Sequence, residues 1–438
     1  MADVLLLSRL QFAFVIAFHF LLPALTIGLA SYIAVLEGMA LVTGDGRYQD
    51  ASRFWLRIFA VSFAMGVVSG IVLPFQIGMN WSRYAAATAG VIAPLMAYES
   101  LMAFFLEAAF LGVLLFGRHL VPRWAHFGAA LAVAAGTLLS TFWILAANSW
   151  MQTPAGFRIV DGRFVPADWL AIVFNPSFPY RFMHTVTAVY LTTAFTVIGV
   201  AAWLLRRGRD VGVARLMILN GLGLAAILVP LQAVLGDLHG LNTREHQPQK
   251  IAAIEALWET GPRQPAHLFA LIDEAGETNR AAVSIPGLAS LYLTHSFDGI
   301  VTGLKDFAPG DRPPVAPVFY AFRLMVAAWT VMLVLTLWGG LLALRGRLAR
   351  SPAFLRAATW AIPVGYVAVT AGWITTEVGR QPFVVYGHLR TADAVSPTLA
   401  SGDVAASLAL FTLVYAIVFG AGLVYLVRLA RRGIPATP

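Results

Sequence analysis

The stretch FAFVIAFHFLLPALTIGLASYIAVL, residues 12–36, decides the fold, because its 25 residues contain no acidic or basic side chain other than His19. A helix that crosses a membrane needs about 20 predominantly apolar residues, so this run predicts one. An imidazole at membrane depth is normally paired or coordinated, and neutral imidazole is the commonest metal ligand in proteins. The run therefore predicts a membrane-spanning helix and makes His19 a candidate ligand of a metal or a haem iron.

The composition of the whole chain indicates a membrane protein with many spans. Of its 438 residues, 59% are hydrophobic and 12% are charged, and the mean hydropathy is +0.75. Soluble domains carry about 25% charged residues. The chain has no cysteine, which excludes disulfides, cysteine-ligated zinc, iron–sulfur clusters and covalently attached c-type haem. Any iron must therefore be held by His, Met, carboxylate or Tyr side chains.

Nine apolar runs are long enough to span a membrane. They lie at about 12–37, 54–79, 94–117, 124–147, 183–205, 213–236, 317–344, 354–377 and 403–428. The loops after the odd-numbered runs are rich in arginine: Arg47, Arg53, Arg57, Arg118, Arg123, Arg206, Arg207, Arg209, Arg215, Arg345, Arg347, Arg350, Arg356, Arg428, Arg431 and Arg432. The short even-numbered loops hold Arg83, Arg380 and Arg390. The positive-inside rule then predicts a periplasmic N-terminus and a cytoplasmic C-terminus.

The net charge of +8 is explained by these cytoplasmic loops, so the expected partner is membrane lipid and not nucleic acid. The first run is too long for a signal-peptide core and lacks a basic flank, which predicts no cleavable signal peptide. The fold class predicted is an all-α integral membrane protein with about nine transmembrane helices. Residues 1–236 hold six of them and 317–438 hold three. Residues 237–316 form a long outer loop, of a length that is usually functional or disordered.

Two acidic residues, Glu99 and Glu107, lie in the third apolar run. Eight positions along a helix correspond to about 12 Å of rise and about 80° of rotation, so both carboxylates can line one broad side at two depths. Buried acids in a span suit a proton relay or the charge environment of a cofactor. The alternative is that the acid nearer a membrane face is simply solvated.

Further candidates lie near the ends of later runs. His184 opens the fifth run, Arg323 and Met325 lie in the seventh, and Glu377 and Arg380 end the eighth. For each, a structural explanation stays open: an interfacial histidine, a packing methionine, or a Glu–Arg surface pair. The remaining histidines are expected to be solvated or interfacial: His119, His126, His239, His246, His267, His295 and His388.

In combination, the motifs of this chain resemble subunit I of the cytochrome bd-type quinol oxidases over nearly its whole length. The motifs are His19, Glu99 with Glu107, Asn175-Pro176 followed by His184, GDLHG at 236–240, KIAAIEALWET at 250–260, FRLM at 322–325 and GRQP at 379–382. The resemblance implies two four-helix bundles plus one additional helix, in a bacterial cytoplasmic (inner) membrane.

The resemblance also implies three haems. His184 and Met325 match the axial ligands of a low-spin haem b, and Arg323 matches an arginine beside that haem. His19 and Glu377 match ligands of two high-spin haems, of which one is a haem b and the other a haem d or b. Ligation by one histidine and one methionine raises the reduction potential of a haem, which suits the uptake of electrons from quinol.

Other positions match residues of proton and quinol chemistry. Glu99 and Glu107 match acids beside the high-spin haems, and Glu107 with Ser140 resembles a proton route from the cytoplasm. Trp373 resembles an aromatic residue between haems. Asp237, Lys250 and Glu255 match the outer quinol-binding loop, and Arg380 of the GRQP motif joins the catalytic set.

The implied activity is oxidation of ubiquinol or menaquinol outside and reduction of O2 to water with cytoplasmic protons. Such vectorial chemistry generates a proton motive force without a pump. The implied partners are subunit II and often a small single-span accessory subunit. Phe383 stands where the family often has Trp, and the outer loop is short. Phe383 keeps an aromatic residue at its position, and the short loop suits the short-loop branch, which includes the cyanide-insensitive oxidases.

Two alternatives remain at this point. A proton-coupled secondary transporter would use Glu99, Glu107 and Arg323, but it leaves His19, His184 and Met325 unexplained. A dihaem membrane cytochrome that does not reduce oxygen explains His184 and Met325, but it leaves Glu377 and the buried acids unexplained.

Overall fold

The computed structural model describes residues 3–434, apart from the side chains of Ala103 and Phe104. Residues 1–2 and 435–438 of the first and last predicted segments lie outside the described residues. The helices are α1 Val4–Leu21, α2 Pro23–Thr43, α3 Gly46–Asn80, α4 Ser82–Met102, α5 Ala109–Phe116, α6 Arg123–Gln152, α7 Trp169–Val173, α8 Phe178–Arg206, α9 Val211–His246, α10 Pro248–Glu255, α11 Leu288–Thr294, α12 Val315–Leu344, α13 Pro352–Trp360, α14 Val364–Val378, α15 Thr391–Ala394 and α16 Ser401–Arg432. The strands are β1 Phe157–Val160, β2 Arg163–Pro166, β3 Ala266–Asp273, β4 Thr278–Ile285, β5 Phe383–Val385 and β6 Leu389–Arg390.

Nine helical stretches in residues 3–434 are long and apolar enough to cross a membrane, which confirms the predicted number. They are longer than the apolar runs. The third, for example, extends over Ser82–His119, whereas the sequence predicted 94–117. An apolar run marks only the part in hydrocarbon, and the helix continues into more polar turns at each end. α9 likewise continues to His246, so Asp237, expected at the start of the outer loop, lies inside a helix.

Three interruptions shape these spans. α1 and α2 meet at Leu22, where Pro23 begins the second helix because proline suits the first turn of a helix but not its interior. α13 and α14 are separated by residues 361–363, which include Pro363. Between α4 and α5, residues Ala103–Ala108 form a π-helical turn that carries Glu107. Such turns are frequent at functional sites.

The spans pack as two four-helix groups and one outlying helix. The first group consists of spans 1–4, with α2 against α3 and α6, and α4 against α6. The second consists of spans 5–8, with α8 against α9, and α12 against α9 and α14. The groups meet where α2 contacts α8. A Cβ at Gly28 would lie 2.4 Å from Thr193 Oγ1, so this approach requires glycine. α16 packs outside, on α1 and α3.

The two ends of the bundle differ. One end, here called the arginine-rich end, carries the connections after α2, α5, α8 and α12, where the arginine-rich loops of the sequence lie. The other, here called the loop end, carries residues 153–177, 247–314 and 379–400. Three antiparallel hairpins lie there: β1–β2, β3–β4 and β5–β6. An apolar core formed by α10, β3 and the start of α12 holds the outer segment on the bundle.

Candidate functional site

One large cavity brings nearly all the predicted site residues together. It has a volume of about 1850 Å³, above the 300–1,000 Å³ of ordinary small-molecule sites. Its lining includes His19, Glu99, Glu107, Ser140, His184, Asp237, Lys250, Glu255, Met325, Trp373, Glu377 and Arg380. These residues come from both four-helix groups and from the outer segment, so only the tertiary fold makes them neighbours.

His19, on α1, is held by a hydrogen-bond chain to α3. Its Nδ1 lies 3.0 Å from Ser69 Oγ, and that hydroxyl donates its proton to the Gly66 carbonyl oxygen at 2.9 Å. Because a hydroxyl has one proton, Ser69 can only accept from His19, and Nδ1 must be the donor. The neutral ring then keeps the Nε2 lone pair free for a metal.

His184 and Met325 reach the same cavity from α8 and α12. The Gln232 amide nitrogen lies 3.2 Å from His184 Nε2, and its Oε1 is buried without a hydrogen-bond partner among the described residues. A Cβ at Gly372 on α14 would lie 3.0 Å from Met325 Sδ, so glycine there lets the helix approach the thioether. A histidine nitrogen and a thioether sulfur thus face one cavity from different helices.

Glu377, at the end of α14, is surrounded by hydrogen-bond donors. Its Oε1 accepts from Asn148 Nδ2 at 2.9 Å and from Gln152 Nε2 at 3.2 Å. Its Oε2 accepts from Arg380 Nη2 at 2.5 Å. The Arg380 side chain is 7% exposed, so the pair is not the surface salt bridge considered as an alternative. Arg380 Nε and Nη1 have no partner in the described part of the chain.

Lys250, on α10, is buried next to this group. Its Nζ donates to Gln152 Oε1 and to Gln247 Oε1, each at 2.6 Å. Burial, together with the positive charges of Arg181 and Arg380, holds the pKa of Lys250 well below its usual range, and the Glu377 charge opposes this. Gln152 therefore bridges a residue of the predicted quinol loop and a predicted haem ligand.

Arg323 contacts the outer segment. Its guanidinium donates to Glu255 Oε2 at 2.6 Å, to the His267 carbonyl oxygen at 2.9 Å and to the Ile254 carbonyl oxygen. It also lies over the Phe319 ring, 4.0 Å from the centroid. The resemblance placed Arg323 beside the low-spin haem, whereas its polar contacts in the structure are with the loop, and it does not line the cavity.

The two membrane acids face the cavity at different positions. Ser140 Oγ on α6 donates to Glu99 Oε1 at 3.0 Å, so the hydroxyl predicted to act with Glu107 contacts Glu99. Glu107 is 7% exposed and packs against Gly136, where a Cβ would lie 2.9 Å from its Cγ. On the other side, Trp373 lies 5.3 Å from the ring of Phe20, the neighbour of His19.

Two histidines predicted to be solvated or interfacial, His126 and His267, are buried, and the prediction is wrong for them; His239, expected in the outer loop, is half-buried at the cavity wall. His239 belongs to α9 and packs edge-on against His184 at 5.4 Å. His126 is 3% exposed and contacts Glu37 Oε2 at 3.2 Å and the Leu114 carbonyl oxygen at 3.1 Å. His267 is hydrogen-bonded at both ring nitrogens, to Ser284 and Asn279. His126 and His239 lie on helices and His267 lies on β3, and the polar residues near them in the sequence gave no sign that these positions pack inward.

Sequence reasoning also missed polar residues that surround the predicted ones. Asn148, Gln152, Arg181, Gln232 and Gln247 all lie within the site. Asn148 and Gln152 are one helical turn apart at the end of α6, which is the one sequence signal that could have found them. The others have no spacing that distinguishes them from ordinary polar positions.

Comparisons with known proteins agree with this geometry. Residues 7–434 match the family described as cytochrome bd terminal oxidase subunit I. The chain is 34% identical to the cytochrome bd-II ubiquinol oxidase subunit 1 of Escherichia coli strain K12, covering 99% of this chain and 97% of the relative. It is 37% identical to the cytochrome bd ubiquinol oxidase subunit 1 of Bacillus subtilis strain 168, covering 96% and 92%. The solved bd oxidase of Geobacillus thermodenitrificans superimposes with a TM-score of 0.90 at 30% identity, covering 98% of this chain and 99% of that one.

The fold and the cavity define a membrane protein whose helices present His, Met and Glu side chains to a common interior. The chain belongs to the cytochrome bd terminal oxidase subunit I family. Membership of a terminal oxidase family favours the oxidase interpretation over the secondary transporter and over a dihaem cytochrome that does not reduce oxygen.

Proposed function

We propose that this chain is the haem-bearing subunit of a quinol:O2 oxidoreductase, which oxidises quinol at the loop end and reduces O2 with protons from the arginine-rich end. One observation carries the proposal: a single cavity joins the candidate haem ligands, the buried acids and the residues of the outer segment. As a family member, the protein is an integral protein of the bacterial inner membrane with haem cofactors and a quinol substrate.

The residues lining the cavity fit haem. No three His, Asp or Glu side chains in the described ranges converge as they would around a bare metal ion. The candidate ligands lie on separate helices, and each haem would be held by one or two of them. The walls are largely apolar, as a macrocycle requires. The unpartnered Nε and Nη1 of buried Arg380 need an anionic acceptor, which a haem carboxylate would provide.

The ligand assignment follows the resemblance. His184 and Met325 would hold the low-spin haem b, and His19 and Glu377 would hold the two high-spin haems, one a haem b and the other a haem d or b. Haem supplies one-electron transfer and oxygen chemistry. The chain supplies ligand orientation: Ser69 sets the His19 tautomer, while Asn148, Gln152 and Arg380 fix the Glu377 carboxylate.

The outer segment would bind the quinol. Glu255 is 2% exposed, lines the cavity and is oriented by Arg323. Its carboxylate would accept a hydrogen bond from a quinol hydroxyl. Lys250 lies nearby with its amine fixed by two glutamine side chains. With the loop end on the periplasmic side, protons that quinol releases there leave outside.

Protons for oxygen reduction would travel through the first four-helix group. Glu107 lies on the π-helical turn, and Glu99 is hydrogen-bonded to Ser140 on the neighbouring helix. Both acids face the cavity that holds the candidate high-spin ligands. Acids at two depths of the same span can take up and pass on protons where water is scarce.

The topology and partners complete the proposal. A periplasmic N-terminus and a cytoplasmic C-terminus follow from the positive-inside rule. Residues 237–316 then serve as the periplasmic quinol loop between segments 1–236 and 317–438. Ubiquinol or menaquinol is the donor, and subunit II, with a small single-span accessory subunit, completes the oxidase.

The test is an optical spectrum of the purified oxidase. We expect reduced-minus-oxidised haem bands, and a shift of the high-spin bands when CO is added to the reduced protein. The oxidase should also consume oxygen with quinol as donor. A protein without haem bands would contradict every redox role, and haem without a CO-reactive centre would contradict oxygen reduction. Extracting the haems identifies the third one as d or b.

A further inference from the structure

Tyr292 lies in the outer segment at the wall of the large cavity, although no motif in the sequence points to it. It belongs to the short helix α11 and faces the cavity together with Glu255 and Lys250. Its ring packs against the apolar core beneath the outer segment. The phenol is therefore directed to the part of the cavity that the quinol loop encloses.

The backbone around Tyr292 is held in place. Arg244 Nη1 on α9 donates to the Leu293 carbonyl oxygen at 2.6 Å. The Ser290 hydroxyl accepts from the Gln264 N–H at 2.8 Å, and Ser290 is fully buried. Two anchors from different parts of the chain thus fix α11, so the position of the phenol is set by the fold.

Tyr292 and Glu255 line the same cavity, and Tyr292 packs on the apolar core that contains Ile254 and Ala256, the chain neighbours of Glu255. Burial, followed by the charge of Glu255, raises the pKa of Tyr292, which keeps its proton available for donation. Arg323 occupies Oε2 of the same carboxylate. An ionised carboxylate has about four acceptor positions, so Glu255 can accept from Arg323 and still accept from a further donor.

We propose that Tyr292 is a substrate-contacting residue of the quinol site, whose phenol donates a hydrogen bond to the oxygen of the quinol hydroxyl that itself donates to Glu255. This inference rests on the proposed quinol oxidation. Arg323 orients the Glu255 carboxylate through Oε2, and Glu255 and Tyr292 both line the cavity in which the substrate would lie. The site would therefore recognise one hydroxyl of an aromatic headgroup by an acceptor, the Glu255 carboxylate, and a donor, the Tyr292 phenol.

The test replaces Tyr292 by Phe, which removes one oxygen and retains the ring. We expect a roughly 3- to 10-fold higher quinol KM, the effect of one hydrogen bond. Oxygen consumption with a water-soluble phenylenediamine donor, and the haem spectra, should stay unchanged. The matched control is Tyr320→Phe, because the Tyr320 phenol donates to the Ala270 carbonyl oxygen at 2.9 Å and does not line the cavity.

The outcomes separate this inference from the function on which it rests. A wild-type oxidase that fails to oxidise quinol overturns the proposed function. A wild type that oxidises quinol, with Tyr292→Phe indistinguishable from Tyr320→Phe, overturns the role of Tyr292 alone. Loss of haem bands, or an equal loss of activity with both donors, would show that the phenol only supports the fold and would likewise overturn the inference.

Discussion

The Arg323 guanidinium is bonded to the Glu255 carboxylate, with 2.6 Å between Nη2 and Oε2, and the Glu255 side chain is 3% exposed. Arg323 lies two residues before Met325 on α12, while Glu255 ends α10 in the outer segment. The acid proposed to bind quinol is thus tied to the helix that carries a proposed haem ligand. A change at one position is expected to affect the other.

Replacing Glu255 by Gln should selectively impair quinol oxidation. The variant removes the anionic acceptor and leaves Arg323 without its counter-charge. Removing one partner of a buried ion pair lowers the free energy of unfolding by about 3–5 kcal/mol. We expect at least a 10-fold loss of quinol-dependent kcat/KM, with the phenylenediamine donor still oxidised. Glu259→Gln is the control, since Glu259 is 72% exposed and pairs with Lys305. Equal loss with both donors would contradict a local quinol role.

Replacing His184 by Ala should remove the low-spin haem and retain high-spin signal. His184 is the one nitrogen ligand proposed for that haem, and His19 and Glu377 lie on other helices. Reduced-minus-oxidised spectra of the purified variant measure the outcome. His119→Ala serves as the control, because His119 is exposed. Unchanged spectra in both variants would show that the ligand assignment is wrong.

Replacing Ser69 by Ala should weaken haem binding at His19. The buried Nδ1–H would lose its acceptor, which costs about 1–3 kcal/mol of folding free energy. The ring would also no longer be held in the tautomer that leaves the Nε2 lone pair free. Loss of such a supporting contact typically reduces metal affinity about 10- to 100-fold. We expect a lower high-spin haem content per protein, with the low-spin bands intact. Ser69→Thr keeps the hydroxyl and should retain the haem; equal loss in both variants would argue against the hydrogen bond.

Replacing Glu37 by Gln should destabilise the arginine-rich end. Glu37 joins four elements by accepting from Arg118 at 2.5 Å and from Ser52 and by contacting His126. Removing one partner of a buried ionic cluster costs about 3–5 kcal/mol. We expect a lower thermal unfolding midpoint in detergent. Asp50→Asn is the control, since Asp50 forms a partly exposed pair with Arg53 at 3.6 Å; an equal shift in both would rule out a special role for the cluster.

Acidic pH should loosen the β3–β4 hairpin through His267. Burial, with the Arg323 charge, lowers the pKa of His267 from 6.5, although Glu255 opposes this. The unfolded segment therefore takes up a proton first. The contribution of neutral His267 to the folding stability of the hairpin is fully present above pH 6.5, and it declines as the pH falls below that value. The protection factors of the hairpin amides, which are hydrogen-exchange rates divided into the intrinsic rates at the same pH, measure the effect between pH 7.5 and about 5, and His267→Gln should abolish the pH dependence of this protection.

Local sequence determined the membrane-spanning part of the protein. Runs such as 12–36 can satisfy their backbone in hydrocarbon only as helices, so the nine spans could be read from hydropathy. His19, Glu99, Glu107 and Glu377 were likewise recognisable, because an ionisable group in an apolar run requires a partner wherever that run packs.

Only the tertiary structure decided which residues meet. Arg323 turns to Glu255, Ser140 contacts Glu99, and Gln152 bridges Lys250 and Glu377. Tyr292 reaches the same cavity from the outer segment. These hydrogen bonds join residues 41 to 225 positions apart. Helical periodicity orients a side chain on its own helix but does not specify the neighbouring helix, which depends on how the two four-helix groups and the outer segment pack.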